Sequence, residues 1–105
     1  MGVCLDAAYR RKATDEEITA GYAPEMFEFV SSPASPGYTY AHWRQILDDL
    51  MLLGETHVTM GTMPVTMLEI HLGLMHECME ARVVEDLHRL LQFCEENGYT
   101  HIGWA

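Results

Sequence analysis

The stretch "PVTMLEIHLGLMHECMEARVVEDLHRLLQFCEEN", residues 64–97, decides the fold, because how many helices it makes sets the direction in which the chain leaves it. After its leading proline it holds one glycine, Gly73, and no further proline, so propensity permits a single unbroken helix. Length argues against that. Such a helix would run about 50 Å, whereas a compact domain of this size has a radius of gyration of about 13 Å and a diameter of roughly 33 Å. The apolar pattern also changes midway. At about 100° per residue, Met67, Ile70, Leu74, Met75 and Cys78 share one face. Val83, Val84, Leu87, Leu90, Leu91 and Cys94 share another, turned by about half a revolution. Two readings fit: a bend near Glu80 to Arg82 that lets two helices pack on one core, or one long helix that buries its second face in a homodimer through residues 64–97. The bend is favoured, since a lone Ile, Leu and Met stripe in water is an aggregation hazard.

Near copies flank this stretch: "GETHV" at 54–58 and "GYTHI" at 98–102. Each follows an apolar, helix-like run, so each reads as a glycine in the left-handed position that stops a helix, followed by a strand. With a helical connection between them, neighbouring strands would form a β-α-β unit over residues 55–104, parallel and right-handed in its crossover. Alternation then points Thr56, Val58, Met60, Thr100, Ile102 and Trp104 at the helices, and His57, Thr59, Tyr99, His101 and Gly103 away from them. In register, His57 and His101 would lie about 5 Å apart.

Upstream, "VCLDAAY" suggests a short strand, and "ATDEEITAGY" a short helix with Thr14 as N-cap, Glu17 closing a capping box and Gly21 past the end. "PEMFEFV" alternates Phe27 and Phe29 with Glu28, the period of a half-buried strand, which is favoured over a short helix opened by Pro24. "SSPASPG" at 31–37 is a Pro and Ser loop, too short to separate domains. Thr39 then caps a helix carrying Trp43, Ile46, Leu47, Leu50 and Met51 at helical spacing, with Trp43 as a core anchor and Gly54 as the stop. The expected architecture is α+β: a single small two-layer domain over residues 1–105, with a short mixed sheet packed on helices.

Composition narrows the function. Apolar residues at 49% and charged residues at 21% suit an ordered domain rather than a disordered chain. No apolar run approaches the ~18 residues of a membrane span, and "MGVCLDAAYRRK" places its positive charges after the apolar patch, the wrong order for a signal peptide. Asp6 stands where a myristoylation signal wants Ser or Thr. Cys4, Cys78 and Cys94 have no close pair, which fits free thiols in a reducing compartment. A cytoplasmic protein with no membrane partner is expected.

Sixteen acidic residues face six basic ones, a net charge of −10, and three of the bases are the run Arg10, Arg11 and Lys12. That balance repels phosphate backbones, so no direct nucleic-acid contact is expected; a protein partner with a basic surface is. Asp48, Asp49, Glu95 and Glu96 are candidate binding residues for it. Five of the eight methionines, Met60, Met63, Met67, Met75 and Met79, cluster in one stretch and would supply either core filling or an adaptable partner surface.

For chemistry, the best candidate is the face of His57, Thr59, Tyr99 and His101, able to share an anion, a metal or a substrate. His76 and Glu80, four apart, could grip one metal ion if they share a helix, but no third ligand is announced, and there is no His-Glu-x-x-His, Cys-x-x-Cys or calcium loop. No serine elbow or phosphate loop is present, and adjacent acids such as Asp48 and Asp49 point apart. No catalytic residue, metal or cofactor is therefore assigned. The sequence supports a small acidic, non-catalytic protein-binding module, in its sharpest form an inhibitor that imitates nucleic-acid charge on a basic protein surface. The alternative is a small-molecule or metal-binding protein, or an enzyme, built on His57, Tyr99 and His101.

Overall fold

The structure, a computed structural model, describes residues 1–105. Its frame is β1 (Gly2–Lys12), which runs through the middle of a sheet and alternates buried Val3, Leu5 and Ala7 with more exposed Gly2, Cys4 and Asp6. On one side it pairs with β2 (Glu25–Val30) along Ala7–Lys12; on the other it pairs with β5 (His101–Trp104) along Leu5–Ala8, and β4 (Gly61–Pro64) closes the order β2-β1-β5-β4. The three-residue β3 (Gly37–Thr39) pairs with Gly2–Cys4. Leu5 donates its N–H to Pro36 while Cys4 donates to Ala105 beyond β5. Adjacent N–H groups in a strand point to opposite sides. Hence β3 lies on the same side of β1 as β2 and continues it in line, with the Pro and Ser loop bulging out between them over residues 31–36.

Every pairing is antiparallel. The α+β class and the two layers stand, but the mixed sheet and the parallel β-α-β unit do not. The cause is the helix count. Between β4 and β5 lie α3 (Val65–Met75) and α4 (Ala81–Asn97), separated by a 3₁₀ turn at His76–Cys78 and by extended Met79 at φ −110°, ψ 159°. One helical return leaves two strands parallel; two returns leave them antiparallel. The bend is thus present a few residues before its expected place, and the single long helix on which the dimer reading rested is absent.

The remaining elements follow local signals. α1 (Asp15–Thr19) begins with the complete Thr14 and Glu17 capping box. Arg11 then binds Glu17 bidentately and reaches Glu28, fastening α1 and β2 to the end of β1. That arginine, with the Thr14 N–H, holds the Glu17 carboxyl down to about 2. In α2 (Tyr40–Asp49), Thr39 Oγ1 accepts the His42 N–H at 3.1 Å, and Trp43, Ile46 and Leu47 are buried. Trp43 is fully enclosed, meeting Trp104 edge to face at 5.2 Å.

The core lies between the sheet and the three long helices, joining Leu5, Trp43, Leu68, Leu87, Ile102 and Trp104. Burying each leucine side chain contributes about 1.5–3 kcal/mol. Helix α4 uses the expected stripe of Val83, Leu87, Leu90, Leu91 and Cys94. Helix α3 does not: Leu68 and Leu72 are buried, while Ile70 and Leu74 are 62% and 75% exposed. Apolar residues Val65, Met67, Leu68, Ile70, Leu72, Leu74 and Met75 ring that helix, so period alone cannot choose its inner face. No helix is long and apolar enough to cross a membrane.

Candidate functional site

The sheet face away from the helices carries His101, Gly103, Phe27 and Phe29, and here the alternation expected for β5 holds, since Ile102 and Trp104 are buried on the opposite face. The His101 ring packs on Phe27 at 4.9 Å between centroids, and its Nδ1 lies 2.8 Å from Thr100 Oγ1. The Arg10 guanidinium also sits over the Phe27 ring, 5.5 Å from its centroid. Burial, and then the Arg10 charge, lower the His101 pKa below its ordinary value.

The other members of the anticipated group are elsewhere. His57 and Thr59 are exposed in the loop that precedes β4, and the residue paired with His101 is Pro64. His57 serves the fold through its backbone, its carbonyl accepting the Trp104 Nε1–H at 3.0 Å. Tyr99 precedes β5 and turns to the helix side, stacked on Tyr9 at 5.9 Å between centroids and tilted against Phe93, also at 5.9 Å. The shared site of His57, Tyr99 and His101 is therefore not assembled, because its premise, two parallel strands starting at the twin glycines, fails for the first of them.

His76 and Glu80 do not share a helix either. The chain breaks between them; His76 Nδ1 lies 3.0 Å from the Gly73 carbonyl, while Glu80 reaches toward His42, with 3.3 Å between Oε1 and Nε2. That approach is off the line of a hydrogen bond and is a charge contact only when His42 is protonated. Beside it, Tyr38 Oη donates to Asp86 Oδ2 at 3.0 Å, and burial followed by Asp86 raises the phenol pKa. This cluster ties β3 and α2 to α4, and it was invisible in the sequence because its members lie 48 positions apart. No three His, Cys, Asp or Glu side chains converge on a point that could hold a metal ion.

The acidic candidates lie on two helices. Asp48 is exposed at the end of α2, and Asp49 beside it accepts from Gln45 Nε2 at 2.9 Å. Glu95 and Glu96 are exposed at the end of α4, where Glu96 accepts from Gln92 Nε2 at 3.1 Å. Of these four, only Glu95 lines a cavity. It is the largest on the molecule, about 410 Å³, a groove between α3 and α4 lined by Glu69, Leu72, Gly73, His88, Leu91, Gln92 and Glu95. Leu72 and Leu91 belong to the core and form its floor. Burial and then the charge of Glu69 push the thiol of buried Cys94 up to about 11. Sequence reasoning picked Glu95 but missed Glu69 and Gly73; their spacing of four was legible, but which way they faced depended on the inner face of α3.

Elsewhere on the surface the charges are unevenly matched. Only Glu17, Glu28, Glu80 and Glu85 make ion pairs, with Arg11, His42 and Arg89. No known protein family, no characterised protein and no solved structure matches this chain, so its site rests on geometry alone.

Proposed function

We propose that the protein is a small non-catalytic module that binds a basic surface of another protein, and that it acts as an inhibitor by offering carboxylates where that surface would take the phosphates of a nucleic acid. One observation carries this reading: the fold leaves most of the negative charge unpaired. Arg11 is held by Glu17 and Glu28 and Arg89 by Glu85, whereas twelve of the sixteen carboxylates, all but Glu17, Glu28, Glu80 and Glu85, have no ion-pair partner. Unneutralised charge on a compact body steers association with an oppositely charged partner and falls away with salt. In this reading the protein works in the cytoplasm, where Cys4, Cys78 and Cys94 stay as thiols.

The test is a salt series on the partner complex, with duplex DNA as competitor. Affinity should fall steeply with ionic strength, and the duplex should compete. Replacing Asp48, Asp49, Glu95 and Glu96 by their amides should weaken binding by at least about tenfold and flatten the salt dependence. An unchanged affinity in that variant would remove the basis for charge imitation.

A further inference from the structure

We propose that the groove between α3 and α4 is the seat of an arginine side chain presented by a basic segment of the partner protein. This rests on the preceding reading and names where its contact is centred. The groove's volume, about 410 Å³, is within the range of about 300–1,000 Å³ typical of ligand sites. Its floor is apolar, Leu72 and Leu91, and its rims carry Glu69 from one helix and Glu95 from the other. An arginine suits this division: its methylene stem covers apolar surface while its planar fork binds carboxylates through paired, charge-assisted hydrogen bonds.

Gly73 supplies an independent argument. A glycine inside a helix costs about 1 kcal/mol against alanine. Nothing within the chain requires it. Its φ is not in the left-handed region, and a Cβ built there would meet no atom within 4 Å. Its one structural consequence is that the groove wall stays open where α3 passes Leu72. The wall beside Glu69 is thus left without a side chain, which gives an arginine stem room to lie along α3.

Charge selects the entrant. Next to the groove α3 leaves Ile70 and Leu74 exposed, which could suggest a second copy of the chain. A two-fold contact, however, presents the same patch from both sides. It would bring the Glu69 and Glu95 carboxylates of both molecules into one interface, on molecules that each carry −10. A basic segment with apolar residues beside its arginine satisfies both features, the cation between the rims and the apolar residues on Ile70 and Leu74.

The probe is an octa-arginine peptide titrated into the ¹⁵N-labelled protein and into Gly73→Leu, which fills the groove without touching a charge. Leucine favours helix, so the variant should melt no lower than the parent, and its melting temperature checks that it folds. The expected result is saturable shifts centred on the Gly73 amide and the Gln92 side chain, with about tenfold weaker binding in Gly73→Leu; Glu69→Gln should weaken it similarly. Shifts spread evenly over Asp15, Asp48 and Glu77, with Gly73→Leu binding like the parent, would overturn the groove and leave the wider acidic reading standing. No binding by either protein at low salt would overturn both.

Discussion

Helices α2 and α4 end in the same way with different residues. In α4, Gly98 at φ 73° takes the left-handed position; its N–H meets the Glu95 carbonyl, and the Tyr99 N–H closes on Cys94 at 2.9 Å. In α2, Met51 at φ 61° does the same work, its N–H on Asp48 at 2.9 Å and the Leu52 N–H on Leu47 at 2.8 Å. Both are Schellman endings. The counterpart of Gly98 is therefore Met51, not Gly54, which lies three residues later in the 3₁₀ turn Leu53–Glu55. What selects Met51 is its neighbour: Leu52 is buried beside Leu47 and Leu50, and only a sharp reversal at position 51 can bring it there while Met51 itself stays 71% exposed. The Thr-His element that follows Gly98 starts β5 at His101, whereas the one that follows Gly54 is loop, because its chain has already turned.

These two regions meet at Trp104, which gives the most disruptive way to separate them. Its indole is fully buried, donates to the His57 carbonyl at 3.0 Å, and lies against Gly61, where a Cβ would come within 2.7 Å of the ring. Trp104→Ala should cost about 3–5 kcal/mol. Denaturant unfolding would measure it, and hydrogen exchange should show the loop at 54–60 opening before β5 does. His57→Ala is the matched control. It keeps the backbone acceptor, so it should cost far less; a comparable loss would mean that the imidazole, not the carbonyl, anchors the loop.

A smaller pair of substitutions tests the helix endings directly. Gly98→Ala forces a side chain into the left-handed region and should lose about 1–2 kcal/mol. Met51→Gly relieves the same conformation and should gain up to about 1 kcal/mol, since the methionine side chain is mostly in solvent. Gly54→Ala should be close to neutral, because its φ is ordinary and no atom stands within 4 Å of the new Cβ. Thermal melts of the three proteins would order them. If Gly54→Ala lost as much as Gly98→Ala, the two glycines would be equivalent after all.

The same contrast explains which regions of the molecule were legible. Elements with one apolar side announced themselves: the alternation in β1, the Trp43 to Leu50 stripe, and the Val83 to Cys94 stripe of α4, with the capping box marking α1; β2 was legible as a strand, but its Phe27 and Phe29 lie on the face away from the core and Phe29 is exposed. Helix α3 did not, because apolar residues surround it and the choice of Leu68 and Leu72 over Ile70 and Leu74 is made by its packing against the other elements. That ambiguity hid the groove, since Glu69 and Gly73 can be placed only when the inner face is known. The bend was legible from length, and an antiparallel sheet follows from it, but the half-turn of phase rested on Ile70 and Leu74, which stand in solvent, and the near-copied Gly-Thr-His letters suggested two equivalent strands. A left-handed methionine has no sequence signal to set against a glycine three positions on. Glu95 was picked on charge alone, and only the fold distinguishes it from Glu96, which turns away from the groove.

The smallest effect concerns the histidine that does stand on its strand. His101 packs against Phe27, faces Thr100 through Nδ1, and has Arg10 as the nearby cation; its pKa is lowered, first by burial and then by that charge. Protonation therefore favours the unfolded chain, where the imidazole regains water and leaves Arg10. Stability should be constant from this group above its ordinary value of 6.5 and should decline as pH falls below 6.5, ending at the depressed folded-state value. Glu17 contributes in the same direction at lower pH, between 4.5 and about 2, so the two windows are separable. Urea unfolding at steps between pH 7 and 5 would measure the His101 contribution, and His101→Gln should abolish the slope there. A slope that survived the substitution would assign the acid sensitivity to another group and leave His101 with no electrostatic role in the fold beyond its packing on Phe27.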